Sequence, residues 1–381
     1  MNKNVNLKIT DITWNGGNQI KTGTPVVFTV TLTNDGTEDM QPTVQQTVIQ
    51  LHIDRAEPIW FRYDGGLKVG ESKTFDFPVW EAMAGNHAIT ATVNFAMPSP
   101  TIWESGEVFV KYLRVADEAL AVPTVAAEAG MNTLTFSDDF TSLDTIDMNA
   151  TGEVGYHWYV TRPFGVRTLK PDDYSLTKDG LSIHIDTPQI NYGLAMVDAR
   201  TGAGWGYKHG YMEARIRLDR RNSTEVKKGP AIWGLPALRY WCYIDHWLEM
   251  DHMEYWGDTM GMGGDLMTVT MHEQIYSHGD KEPIKRWIKN SNTCYQHGLG
   301  DCEWHTLGWL WEEGSLTTYF DGELLMKQEW GGANGVPELE VLAGDMGETP
   351  FTVFDKYTYP ITISGAKGWP MEVDYLNIWQ K

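Results

Sequence analysis

The sequence predicts an all-β chain of two sandwiches in tandem, a small one followed by a larger one of jelly-roll type. Three observations carry that expectation. Apolar and polar residues alternate with period two through much of the chain, as in VNLKITDI, where Val5, Leu7 and Ile9 share one face. Turn residues interrupt these runs at short intervals, and no stretch sustains a helical period. A length of 381 residues suffices for two domains, each burying its own core.

The first domain is placed at 1–115. VVFTVTLTNDG alternates Val26, Phe28, Val30 and Leu32 before an Asn-Asp-Gly turn, and SKTFDFPVW and AITATVNFA follow with Gly85 and Asn86 between them. Several short strands joined by turns fit a small β-sandwich. Residues 116–130, ADEALAVPTVAAEAG, are rich in Ala and nearly free of bulky side chains, so a linker is expected, with a short helix or strand as the alternative. Residues 131–381 return to strands. In LTTYFDGELLMK, Asp321 and Gly322 separate two strand-like runs, a hairpin signal because both central residues of such a turn need positive φ. HGYMEARIRL and MEVDYLNIW alternate in the same way, and strands on this scale imply two antiparallel sheets packed face to face.

Composition narrows the function. A formal charge of -21 argues against nucleic acid or an anionic membrane surface as partner, and disfavours strongly sulfated or uronic acid polymers. No apolar run approaches the roughly 18 residues of a spanning helix, so no membrane insertion is expected. The start, MNKNVNLKIT, has no hydrophobic signal core, leaving a cytoplasmic chain or one whose secretion signal has been removed. The 17 Trp and 17 Tyr outnumber the 12 Phe. Rings with an apolar face and a polar edge fill sheet cores and also stack on sugars, whose C–H faces are apolar. The three cysteines are Cys242, Cys294 and Cys302; the last two flank YQHGLGD and could close a disulfide, although three thiols also suit a reduced protein.

The stretch WLEMDHMEYWG, 247–257, sets Glu249, Asp251 and Glu254 among aromatic and apolar neighbours, where burial makes each charge costly. The ordinary explanation for nearby acids is a solvated face. On a strand, however, Glu249 and Asp251 point the same way, while Glu254, five positions from Glu249, would point to the opposite face. One extra residue in a β-bulge between Asp251 and Glu254 restores the parity, and bulges are frequent beside active sites. The three acids would then line one sheet face beside Trp233, from GPAIWGLPA on an expected neighbouring strand. That is a poor surface decoration and a good acid/base device.

The run E-M-D-H-M-E resembles the bulged E-x-D-x-x-E signature of glycoside hydrolase family sixteen, found in laminarinases, agarases and carrageenases. GYKHGYMEARIRL, GPAIWGLP, TVTMH and MEVDYLNIWQ resemble further strands of that family, in the same order. More loosely, VNLKITDITW, VVFTVTLTNDGTE and GGLKVGESKTFDF in residues 1–115 resemble the bacterial cell-adhesion-related (CARDB) domain. The resemblances imply an immunoglobulin-like β-sandwich followed by a concanavalin A-like jelly roll, the first serving as spacer, packing partner or weak sugar binder.

The resemblance implies Glu249 as nucleophile, Glu254 as acid/base and Asp251 as the group that orients the nucleophile. Retaining cleavage requires the two glutamates about 5 to 5.5 Å apart, and Glu254 must hold its proton near neutral pH, a state the neighbouring negative charges favour. It also implies sugar stacking on Trp233, with an inward core Trp as the alternative, and a His272 of TVTMH that faces the acid/base, with a satisfied core histidine as the alternative. Trp256, Trp241 and Trp247 are weaker substrate-binding candidates, at least one of them expected in the core. No cofactor is implied for catalysis, but a structural Ca2+ is, with Asp139 of FSDDF and Asp374 of VDYLN at its ligand positions; two solvated or capping acids are the alternative. One departure stands out: in RYWCYIDHWLEMD, Trp247 and Leu248 replace the Gly that usually precedes the first Glu, which leaves the substrate more open than the chemistry.

The expected activity is a retaining endo-glycosidase on a β-linked polysaccharide, first an endo-β-1,3-glucanase, with an agarase or another neutral β-galactan or β-glucan hydrolase as the alternative. A lectin-like protein that binds without cutting is a third reading, since fold alone does not separate these. A polymer substrate implies a secreted or cell-surface enzyme. Catalytic metal motifs fail: His246, Glu249 and His252 do not share a face, and HEQIYSH places the second His of H-E-x-x-H two positions late. Oligomeric state is left open.

Overall fold

The computed structural model describes residues 5–42, 47–96, 103–105, 108–160, 174–177, 183–185, 193–218, 229–236, 246–257, 266–275, 298–329, 354–365 and 370–381. Among them strands dominate, and the one α-helix is Thr124–Glu128. No helix among the described residues is long and apolar enough to cross a membrane.

The chain divides into two compact units, Met1–Ala121 with Leu134–Ser137 and Val154–Tyr156, and Val122–Thr133 with Asp138–Glu153 and His157–Lys381. The main boundary thus falls a few residues beyond 115. The Gln19 side chain explains the extension: its Oε1 accepts from the Leu120 amide at 2.7 Å and its Nε2 donates to the Leu120 carbonyl at 3.2 Å. The Ala116 amide likewise donates to the Ile20 carbonyl. The helix Thr124–Glu128 starts after Pro123 and ends at Gly130, φ +75°, where the Gly130 and Met131 amides donate to Ala127 and Ala126 carbonyls. That paired closure needs a left-handed residue, which Gly adopts without Cβ strain. The stretch expected as a linker therefore contains the short helix of the alternative reading.

The first unit is a two-sheet sandwich. Leu7–Trp14, Phe28–Asn34 and Ser72–Asp76 form one antiparallel sheet. In the other, Thr47–Ile53 and Phe109–Val115 flank the central Gly85–Ala96. Phe28, Val30 and Leu32 from the first sheet and Ile49, Leu51, Ile89 and Val93 from the second join one buried cluster, so the period-two pattern reports the packed faces directly.

In the second unit one sheet runs in the order Ile146–Asp147, Trp158–Tyr159, Leu194–Ala195, Ile361–Ser364, Ala231–Gly234, His246–Gly257 and Leu266–Ile275. The other carries Tyr174–Leu176, Ile183–Ile185, Met371–Gln380, Gly210–Leu218, His305–Glu312, Ser315–Phe320 and Glu323–Glu329 in that order. Ser315–Phe320 and Glu323–Glu329 are the expected hairpin, with Asp321 at φ +49° and Gly322 at φ +82° between them. The two sheets face each other: Trp309 of the second meets His252 of the first with ring centroids 5.6 Å apart. Met212, Ala214 and Ile216 on one side and Met250, Met253, Met267 and Met271 on the other are fully buried. Flexible methionines fill the irregular gap beside a distorted strand well.

Candidate active site

Pairing along the strand His246–Gly257 answers the parity question. On one side Glu249 stands opposite His272, Asp251 opposite Thr270 and Glu254 opposite Thr268, so two residues of this strand, His252 and Met253, fall against one of its neighbour, Val269. On the other side Asp251 pairs with Trp233 and Glu254 with Ala231, while Met253 pairs with Ile232. His252 is the inserted residue. The expected β-bulge exists where the parity argument requires it, and Glu249, Asp251 and Glu254 project from one face.

The opposite face of this strand is the sandwich core, with Met250, His252 and Met253 at 0% exposure. On the acid face Asp251 is 4% exposed, and Glu249 and Glu254 are half-buried. Four ladder steps, from His272 to Thr268, separate the partners of the two glutamates, roughly 13 Å between their Cα atoms at about 3.3 Å per step. Two glutamate side chains leaning toward each other along the strand can reduce that span to the about 5 to 5.5 Å of a retaining pair. The arrangement can therefore set a nucleophilic carboxylate and a proton donor on either side of one sugar linkage, with Asp251 between them.

The surrounding residues divide. Trp233 lies on the acid face beside Asp251, yet it is only 4% exposed and packs with Val197, Ala231 and Leu235. Little of the ring is open to solvent, the burial that the core alternative requires. Trp256 is half-buried, and its Nε1 donates to Thr268 Oγ1 at 2.8 Å, on the residue opposite Glu254. His272 pairs with Glu249 across the ladder, and its side chain, and so the expected approach to the acid/base, lies outside the described residues. Trp241 and the Trp247 side chain lie outside them as well.

The two acids considered for a cation are otherwise engaged. Asp374 Oδ2 accepts from Arg215 Nη1 at 2.5 Å, and that guanidinium also sits over the Trp304 ring. Asp139 Oδ1 accepts from the Thr141 hydroxyl at 2.9 Å, a turn-capping role. No group of three or more His, Cys, Asp or Glu suited to a metal ion occurs among the described residues. The Arg215 guanidinium is the charge partner of Asp374 in this arrangement. Cys302 is a free thiol at φ +73°, and Cys294 lies outside the described residues.

One carboxyl that sequence reasoning passed over is Glu213. It accepts from the Tyr211 hydroxyl at 3.0 Å and the Tyr375 hydroxyl at 2.9 Å. Burial raises its pKa, against the downward pull of those two hydrogen bonds. It alternates with the core residues Met212 and Ala214 on its strand, so it points away from the sandwich interior and belongs to another face than the acid trio.

No family model and no curated protein matches the chain. Solved structures similar to it include the GlcNAcα1-4Gal-releasing endo-β-galactosidase from Clostridium perfringens, at 17% identity and TM-score 0.39, covering 69% of this chain and 65% of that one. A non-specific endo-β-1,3(4)-glucanase from family GH16 is similar at 18% identity and TM-score 0.39, over 69% of this chain and 94% of that one. The CARDB domain of a Pyrococcus furiosus protein, in complex with di-metal ions, is similar at 16% identity and TM-score 0.23, over 29% of this chain and 89% of that one.

Proposed function

We propose that this chain is a retaining endo-acting glycoside hydrolase of neutral β-linked polysaccharides, with a β-1,3-glucan as first substrate and agarose or another neutral β-galactan or β-glucan as the alternative. The observation that carries the reading is the bulge at His252, which brings Glu249, Asp251 and Glu254 to one face. A merely solvated face would not leave Asp251 at 4% exposure.

In the first step a Glu249 carboxylate oxygen attacks the anomeric carbon while the bond to the leaving oxygen breaks, and Glu254 gives its proton to that oxygen. In the second, Glu254 takes a proton from a water whose oxygen attacks the same carbon, and Glu249 is released. Asp251 orients Glu249, and its negative charge favours the protonated form of Glu254. Trp256 offers a half-buried ring at the Glu254 end for a sugar face. The net charge of -21 favours neutral polymers over sulfated ones. A polymeric substrate places the protein outside the cell or at its surface.

The test is reducing-sugar release from laminarin, curdlan, mixed-linkage barley glucan, agarose and carrageenan, with Glu249→Gln in parallel. Release from one neutral polymer that disappears in the variant is expected. Retained binding without release from any polymer would replace this reading with the lectin-like one.

A further inference from the structure

The bulge that aligns the acids leaves His252 outside the regular pairing on its Ala231–Gly234 side, and the opposite sheet takes hold of it. Trp309 Nε1 donates to the His252 carbonyl oxygen at 2.8 Å, across the core from strand His305–Glu312. The same indole packs edge-on against the His252 ring, 85° between planes. On the imidazole itself, Nε2 lies 3.2 Å from the Tyr207 hydroxyl. His252, Trp309 and Tyr207 are 0%, 0% and 1% exposed, so these hydrogen bonds are closed to bulk water.

Burial lowers the His252 pKa to about 3, against a smaller upward pull from the Met250 backbone. The imidazole is therefore neutral at working pH. Burial raises the Tyr207 pKa, so its phenol keeps its proton and shares a hydrogen bond with Nε2 whose direction the imidazole tautomer sets. The bulged peptide is thus held by an indole at its carbonyl and a phenol at its side chain. A carbonyl withdrawn from a ladder and buried must find a donor or cost free energy.

We propose that Trp309 and Tyr207 are positioning residues that hold the His252 bulge from behind and thereby set where Glu254 stands relative to Glu249. This rests on the hydrolase reading above. Neither residue touches substrate. Loosening the bulge displaces Glu254, which follows it by two residues, more than Glu249, which precedes it by three. Proton donation to the leaving oxygen should suffer before nucleophilic attack does.

The experiment uses Trp309→Phe, which keeps a ring and removes the donor, and Tyr207→Phe, which removes only a hydroxyl. Both are assayed on laminarin and on a dinitrophenyl β-glycoside of laminaribiose, whose leaving group departs without a proton. The expected result is a fall in kcat on laminarin of about tenfold to a hundredfold, the size of effect a misplaced reacting group produces. KM should hold within about twofold, and the loss on the activated substrate should be much smaller. Amide hydrogen exchange at Met253 and Glu254 should quicken in both variants. If Trp309→Phe does not fold, Tyr207→Phe carries the comparison.

Equal losses on both substrates would mean a general packing role and overturn the inference, as would unchanged turnover and exchange. An inert wild type on every polymer sinks the hydrolase reading and this inference with it. An active wild type, silenced by Glu249→Gln but indifferent to Trp309→Phe and Tyr207→Phe, sinks the inference alone.

Discussion

Glu249 and Glu254 stand an odd number of residues apart and project from the same face of one strand. In a regular strand that is impossible, and the single inserted residue, His252, makes it so. The distortion brings the two carboxyl groups to one face, as the proposed hydrolysis requires.

The roles assigned to the trio separate by substitution. Glu249→Gln and Glu254→Gln should each lower turnover on the responsive polymer by at least about 10²- to 10⁴-fold, and Asp251→Asn by less. Steady-state kinetics on purified variants checks this; near-wild-type activity in either glutamate variant would dismantle the assignment.

Trp233 offers a contrast between a core ring and a stacking platform. Being 4% exposed and packed with Val197, Ala231 and Leu235, it should matter for stability first. Trp233→Ala is expected to cost about 3 to 5 kcal/mol in denaturant unfolding. A stable Trp233→Ala protein with a sharply raised KM would instead restore the stacking role.

In the first unit His87 is held between Asp54 Oδ2, 2.7 Å from its Nδ1, and the Met83 carbonyl, 2.8 Å from its Nε2. Burial acts to lower its pKa, but the Asp54 hydrogen bond and charge, with Met83, outweigh that and the net shift is upward. A raised folded-state pKa stabilises fully below the unfolded value, about 6.5, and the contribution is lost as pH rises through the folded one. The stability gap between wild type and His87→Gln should therefore be widest in mild acid and narrow in alkali. Melting curves over that range test the sign; a gap that widens with pH would reverse it.

Glu213 has the same sign for a different reason, since burial outweighs the Tyr211 and Tyr375 hydrogen bonds and raises its pKa. Its contribution is complete below the unfolded carboxyl value, about 4.3, and declines as pH rises through the folded one. Relative to wild type, Glu213→Gln should thus gain stability as pH increases, with hydrolytic activity unchanged. A loss of activity in that variant would bring this second face into the function.

What was legible in the sequence follows from strand geometry, which is local. Period-two alternation at Phe28, Val30 and Leu32 reports a packed face because side chains must alternate, and Asp321-Gly322 reports a hairpin because its turn needs positive φ. The spacing of Glu249, Asp251 and Glu254 made a bulge necessary if the acids were to act together, and the pairing supplies it. Tertiary structure decided what depends on contacts distant in the chain. Sequence does not tell that Trp233 is covered, that Arg215 occupies Asp374, or that Gln19 draws Leu120 into the first unit. Nor does it tell that the indole of Trp309, 57 residues on, reaches the His252 carbonyl. Each of those partners is set by how sheets stack and strands order themselves, and no local period encodes that.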